Sequence, residues 1–295
     1  QPAVMMLVFL FVPQYIMKKI ICFVIVFVWL TSRAFSDEPV GRYISLAPST
    51  TEILFALGLD EEIVGVSTYC TYPPQALQKA KMGEFSHPNI EKIVSLKPDY
   101  VFCTGLEQAQ TIAELRRLGL PVFVEDPSTV EELITSIIAI GTITHRDYRA
   151  QMLVKQIQEE IDTVQKQVLR IPPDKRQKVF IEIWHDPLTT AGKGSYIDEL
   201  ITLAGGDNIA YDTRRPYSVF SPEEVMSRDP DCIIMTYMDK SFPANTIGSR
   251  FAWDTLKAVK NNRIYNDINP DILLRPGPRV GEAIEELYKR LYPTA

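Results

Sequence analysis

Two glutamates at equivalent places in a repeated stretch are the residues best placed to act on a partner. Glu91 lies in Asn89-Ile-Glu-Lys-Ile-Val-Ser-Leu-Lys-Pro-Asp-Tyr-Val-Phe102, and Glu223 in Ser221-Pro-Glu-Glu-Val-Met-Ser-Arg-Asp-Pro-Asp-Cys-Ile-Ile234. Ser95 matches Ser227, and Pro98-Asp99 matches Pro230-Asp231. Each copy reads as a helix, a Pro-Asp turn and a buried strand, with Asn89 or Ser221 placed to accept a free N–H of the first turn. A carboxylate in that first turn is favoured by the helix dipole, which is one sufficient account of both glutamates. The other account is functional: one exposed carboxylate on each of two similar lobes, spaced to meet arginines of a two-fold symmetric partner.

A second group of residues suits a ligand. Tyr69, Tyr72, Phe85, Trp184, Tyr217 and Phe220 fall in segments expected to be loops around a cleft, where aromatic faces suit a large, flat, partly apolar molecule. Ordinary loop packing would explain them as well. Asp271 and Arg275 are four residues apart among Pro270, Pro276 and Pro278. They form either a local ion pair of little energetic weight or a polar clamp on ligand amides or carboxylates. Covalent chemistry has no visible machinery. There is no Gly-x-Ser-x-Gly, His-Glu-x-x-His or phosphate loop, and Gly192-Lys193-Gly194-Ser195 reads as a turn. The histidines are His87, His145 and His185, none at metal-ligand spacing to another. His145 reads as an exposed loop residue, and polar contacts are the expected role of the other two.

These residues need a frame, and strand and helix alternate to supply one. In the first half, strands are expected at Tyr43–Leu46, Ile63–Val66, Tyr100–Cys103 and Val122–Val124. Helices follow Ser49 and Ser128, each with a Glu at capping-box spacing (Glu52 and Glu131), and lie at Asn89–Leu96 and Ala109–Leu118. The segment Arg146–Arg170 carries apolar residues at near-helical spacing with a polar opposite face, and as one helix would be roughly 35 Å long. Beyond Ile171-Pro172-Pro173 the scheme repeats: a strand at Val179–Ile183, a helix from Ser195 to Ala204, the repeat helix at Pro222–Ser227, strands at Ile233–Met235 and Arg263–Tyr265, and a last helix over Arg279–Leu291. The expected fold class is α/β: two similar lobes with parallel-rich sheets, joined by one long helix, with a ligand cleft between them. The expected division is a leader over residues 1–36, a first lobe over 37–145, the linking helix over 146–171 and a second lobe over 172–295.

Composition agrees with a two-lobed globular chain. The sequence has 295 residues, 46% of them hydrophobic and 23% charged, and its net charge of −6 argues against nucleic-acid binding. Met17-Lys18-Lys19, the apolar run Ile20–Leu30 and an Ala-x-Ser site make a secretory leader, with cleavage expected after Ser36. Gln1–Ile16 precedes that start as an upstream extension or part of a longer anchor. No Cys stands at a small-residue cleavage site, which speaks against lipid attachment. Export leaves Cys70, Cys103 and Cys232, an odd set without zinc spacing. Cys103 and Cys232 lie in expected buried strands, and a Cys70–Cys103 disulfide is the alternative to three free thiols.

The segments Tyr43-Ile-Ser-Leu-Ala-Pro-Ser-Thr-Thr-Glu-Ile-Leu-Phe-Ala-Leu-Gly58, Gly65-Val-Ser-Thr-Tyr-Cys-Thr-Tyr-Pro-Pro74, Ile90-Glu-Lys-Ile-Val-Ser-Leu-Lys-Pro-Asp99, Gly205-Gly-Asp-Asn-Ile209 and Ser221-Pro-Glu-Glu-Val225 carry a resemblance. Over about residues 41 to 290 the chain resembles the periplasmic substrate-binding proteins of ABC importers for cobalamin and related corrinoids, in the helical-backbone class that also takes siderophores and haem. The resemblance implies two rigid lobes on one long helix, no enzymatic activity, no cofactor, a monomer, and a membrane permease dimer as partner. It implies that Glu91 and Glu223 dock onto permease arginines. It also implies ligand contact by Tyr69, by Phe85 and Tyr217 where the cobalamin binder has tryptophan, by Thr104 in place of a further tryptophan, by the loop Ile183-Trp184-His185, and by Asp271 and Arg275. Trp184 and His185 are additions of this sequence, and the small Thr104 puts the identity of the corrinoid in question. Haem or a ferric siderophore is the rival ligand, supported by His185 or by Arg214 and Arg215. An exported enzyme on the same scaffold and a sensor domain are the rivals of other classes.

Overall fold

The computed structural model describes residues 41–237 and 244–293. The leader reading over residues 1–36 lies outside the described residues. The repeated stretch explains the architecture. Its first copy forms α2 (Ile90–Ser95) and β3 (Tyr100–Thr104), and its second forms α7 (Pro222–Arg228) and β10 (Cys232–Met235). Lys97 and Asp229, just before the two prolines, both take left-handed backbone with φ of 47°. The repeated aspartates then do the same work twice. Asp99 Oδ2 accepts the Arg42 N–H at 2.8 Å, and Asp231 Oδ2 accepts the Lys178 N–H at 2.8 Å. Each aspartate thereby pins the start of its strand to the start of the neighbouring strand, so Pro-Asp is repeated because the turn is structural.

The two sheets share one topology. In the N-terminal lobe, β1 (Tyr43–Ser45), β2 (Ile63–Val66), β3 and β4 (Val122–Glu125) lie in the order β2-β1-β3-β4. In the C-terminal lobe, β5 (Gln177–Glu182), β8 (Gly206–Asn208), β10 and β11 (Ile264–Tyr265) lie in the order β8-β5-β10-β11. All pairs in both sheets are parallel. Alternation assigns each face. Val179, Ile181, Cys232 and Ile234 enter a core shared with the first lobe, while Phe180, Ile233 and Met235 enter one confined to the second.

The shared core is organised by α5 (Asp147–Val168), which buries Ala150, Ile157, Val164 and Val168. It runs against α4 (Val130–Ile143) and α10 (Val280–Leu291). Both approaches are too close for larger residues: a β-carbon at Gly141 would overlap Ala150, and one at Gly281 would overlap the Glu160 side chain. The remaining helices are α1 (Pro48–Ala56), α3 (Ala109–Arg117), α6 (Tyr196–Leu203), α8 (Lys257–Lys260) and α9 (Pro270–Leu274). Among the described residues no helix is long and apolar enough to cross a membrane.

Three local expectations need correction. Ser49 does not cap α1: Pro48 occupies the first turn, Ala47 is the cap residue, and Glu52 is diverted to Arg279. At α4 the cap is Thr129, not Ser128, and Glu132, not Glu131, reaches back to the Ser128 N–H at 2.7 Å. Cys70 and Cys103 do not pair; with Cys232 they are buried free thiols. The sequence reading also missed a small antiparallel sheet in the order β6-β7-β9, made of β6 (Trp184–His185), β7 (Leu188–Ala191) and β9 (Tyr217–Val219).

Candidate functional site

Parallel strands deliver loops to their carboxyl edge, where α/β sheets bind ligands. In the N-terminal lobe that edge carries the segments after β1, β2, β3 and β4. Gln108, fully buried, ties three of them together. Its Nε2 donates to Leu46 O at 3.1 Å and Phe85 O at 2.8 Å, and its Oε1 accepts the Thr104 N–H at 3.0 Å. Phe85 and Thr104 are thus set by one amide that sequence inspection did not single out. Tyr69, in the segment after β2, is 52% exposed. Tyr72 is not free to receive a ligand in the same way: the Arg279 guanidinium lies 4.0 Å from its ring centroid.

The C-terminal wall is the small antiparallel sheet. Thr189 pairs with both Trp184 and Val219, and Ala191 pairs with Tyr217, so Trp184, Val219 and Tyr217 share one face. All three are exposed, Trp184 at 45% and Tyr217 at 52%. Trp184 Nε1 donates to Asp186 O at 2.8 Å, and its ring lies 4.9 Å from that of His185 and 6.0 Å from that of Tyr237. The Tyr237 hydroxyl donates to Glu182, a fully buried carboxylate gripped by Arg250 at 2.7 and 2.6 Å. This network holds the base of the aromatic hairpin. Ile183 packs against the shared core and gives its N–H to Thr189 O at 2.9 Å. Phe220, expected among the cleft aromatics, is instead a buried core residue, its ring 5.9 Å from that of Phe180; one residue beyond Val219, it faces the other side of the strand.

Between the walls lies a polar seam. Glu52 of α1 and Arg279, ahead of α10, form a two-pronged pair at 2.7 and 2.8 Å across the lobes. Burial pushes the Glu52 carboxyl up, against the pull of Arg279 and Arg275. Asp271 and Arg275 form an ion pair of 2.9 Å beside it, and Arg275 Nη1 and the Tyr196 hydroxyl are buried without hydrogen-bond partners among the described residues. A second inter-lobe tie runs from the Val130 N–H at the start of α4 to Glu199 Oε2 of α6, at 2.8 Å. Glu125, at the end of β4, is almost wholly buried and faces the hydroxyls of Thr50, Ser136 and Ser49; burial pushes its carboxyl up to about 7.

Asp126 follows Glu125 and was also missed. Its carboxyl is pushed up by burial and by the charge of Glu107, and burial and the charge of Asp126 together push up the phenol of Tyr217 on the other lobe.

The repeated glutamates are exposed, one at the second position of α2 and one at the second position of α7. Glu223 accepts the Ser221 hydroxyl at 2.6 Å, which holds its carboxyl below the usual range. His87 and His145 are exposed, and His87 Nδ1 bonds Ser86 Oγ at 2.9 Å. No group of three or more His, Cys, Asp or Glu side chains among the described residues is arranged to hold a metal ion.

This arrangement has known counterparts. The model of the periplasmic binding protein family matches residues 44–269. The chain is 34% identical over 257 residues to an uncharacterized ABC transporter substrate-binding lipoprotein, YvrC, of Bacillus subtilis (strain 168), covering 85% of this chain and 80% of that one. The crystal structure of the periplasmic vitamin B12 binding protein BtuF of Vibrio cholerae superposes with a TM-score of 0.72 at 30% identity, covering 85% of this chain and 96% of that one. The apo periplasmic heme-binding protein RhuT from Roseiflexus sp. RS-1 superposes with a TM-score of 0.75 at 27% identity, covering 85% and 99%. With one sheet order in both lobes, a shared core on α5 and a family match over most of its length, this chain belongs to the periplasmic binding protein family.

Proposed function

We infer that this protein is the substrate-binding component of an ABC importer and that its cargo is a corrinoid. Exposed aromatic faces on both walls carry the reading: Tyr69 on one lobe, Trp184 and Tyr217 on the other. Two such walls can hold the faces and rim of a broad ring, and Asp271 and Arg275 between them can hydrogen-bond its peripheral amides. Affinity then comes from burying apolar ring surface, and orientation from the polar groups; no bond is made or broken. The leader implies that the mature chain begins at Asp37 and works outside the cytoplasmic membrane, and the resemblance implies a monomer. Glu91 and Glu223 would meet arginines of the permease. Similarity to a vitamin B12 binder supports the corrinoid, while similarity to a heme binder and the His185–Tyr237 ring contact of 5.8 Å favour haem as the second reading.

Calorimetry of the mature chain with cyanocobalamin, haemin and a ferric siderophore decides between them. Tight one-to-one binding of cyanocobalamin alone is the expected result. A response to haemin or siderophore without one to cyanocobalamin would move the cargo to the second reading.

A further inference from the structure

Asp126 leaves the first sheet at its carboxyl edge beside Thr104, the last residue of β3. Its carboxylate lies over Gly105, where any β-carbon would overlap it. Among the described residues it has no ion-pair partner, and the donor it meets is Thr104 Oγ1 at a long 3.4 Å. Glu107 is the charge that acts on it most, and that charge has the same sign. Beside it is a hollow of about 430 Å³ lined by Ala109, Ile112, Ala113 and Val124, with Asp126 and Arg116 also on its lining. The charge of Asp126 also acts on the phenol of Tyr217. An acceptor with spare capacity thus borders a small, largely apolar recess, at the carboxyl edge of the first sheet beside Thr104.

We propose that Asp126 is a ligand-facing acceptor that selects rings bearing peripheral amides over rings bearing peripheral carboxylates. It takes an N–H of a primary amide whose aliphatic stem lies in the hollow of Ala109, Ile112, Ala113 and Val124. This rests on the corrinoid reading and deepens it. A neutral N–H donor gains a charge-assisted bond in a site partly shielded from water. A carboxylate beside Asp126 would meet the like charges of Asp126 and Glu107, which outnumber the one cation of the lining, Arg116, and would be disfavoured. The apolar hollow suits the aliphatic stem of such an arm, and Gly105 leaves the space the carboxylate needs.

The test is calorimetry of the mature protein, its Asp126→Asn and its Asp126→Ala variants, with cyanocobalamin and with a corrinoid whose peripheral amides have been hydrolysed to carboxylates. Wild type should prefer the amide form. Asp126→Ala should weaken that form by roughly tenfold or more, the usual scale of a hydrogen bond to a charged group. Asp126→Asn, which keeps the shape and removes the charge, should tighten the carboxylate form and narrow the preference by a similar factor. Unchanged preference in both variants, or equal weakening of both ligands, overturns the role of Asp126 and leaves the corrinoid reading standing. Failure of wild type to bind either corrinoid overturns both.

Discussion

Glu125 shows how a single side chain ties this fold to pH. Its carboxyl is held at about 7 because burial disfavours the charge and only hydroxyls of Thr50, Ser136 and Ser49 oppose that penalty. Between the ordinary carboxyl range and that value, the native state keeps a proton that the unfolded chain has lost. Stability is therefore fully present below about pH 4.5 and falls by about 1.4 kcal/mol per pH unit up to about 7, a total of about 3 kcal/mol. Urea unfolding at intervals from pH 4.5 to 8 should reveal this decline in wild type. Glu125→Gln, which cannot ionise, should remove that part of the slope and be the more stable chain at pH 8. Equal slopes in the two proteins would mean that Glu125 does not titrate there.

The repeated helices are the elements that carry the docking proposal, and their geometry separates structure from function. Asn89 and Ser221 cap them, and Asp99 and Asp231 pin the strands that follow, so the fold accounts for those four residues. For Glu91 it offers only the helix dipole of the first turn, since the side chain is exposed and takes part in no ion pair among the described residues. Among the described residues, Glu223 bonds the hydroxyl of its own cap and takes part in no ion pair. Replacing both, as Glu91→Arg with Glu223→Arg, should leave ligand affinity unchanged within about twofold, since neither lies on a wall of the cleft, and should abolish uptake in transport assays with reconstituted permease. Uptake that survives the double replacement would sink the paired-carboxylate idea.

At the scale of the whole molecule, the lobes are coupled by more than α5. The hydrophobic core is continuous across them, and the Glu52–Arg279 and Glu199–Val130 contacts bridge the seam. That coupling should limit lobe closure to small motions, in contrast with hinge-type binders. Arg279 also covers Tyr72, so its loss should be felt on both lobes. Arg279→Met leaves Glu52 as an uncompensated buried carboxylate and should cost about 3–5 kcal/mol at pH 7 in thermal or urea unfolding. The loss should shrink in acid, where Glu52 takes up a proton. Removing both partners, as Glu52→Leu with Arg279→Met, should recover most of it. A single Arg279→Met with wild-type stability would show that the seam contributes little.

Local order was legible because it is written in local chemistry. Alternating apolar runs, Pro-Asp turns and glycine stops placed most strands of the two parallel sheets and the longer helices within two or three residues, though not β8, α8 or α9, and the repeat foretold two similar lobes. Where two capping choices lay side by side, as at Ser128 and Thr129, hydrogen-bond geometry decided, and composition could not. The hairpin of Trp184–His185 with Leu188–Ala191 escaped notice because short strands with one exposed face have weak periodicity, so Phe220 was placed on the wrong side. The sequence alone determined the two-lobed α/β class, the linking helix and the equivalence of Glu91 and Glu223. Only the tertiary structure decided that Gln108 sets Phe85 and Thr104, that Glu52 reaches Arg279, and that the charge of Asp126 acts on Tyr217. Apart from the four-residue reach of Gln108 to Thr104, those interactions join residues far apart along the chain, and side-chain identity at one position carries no information about its partner until packing brings the two together.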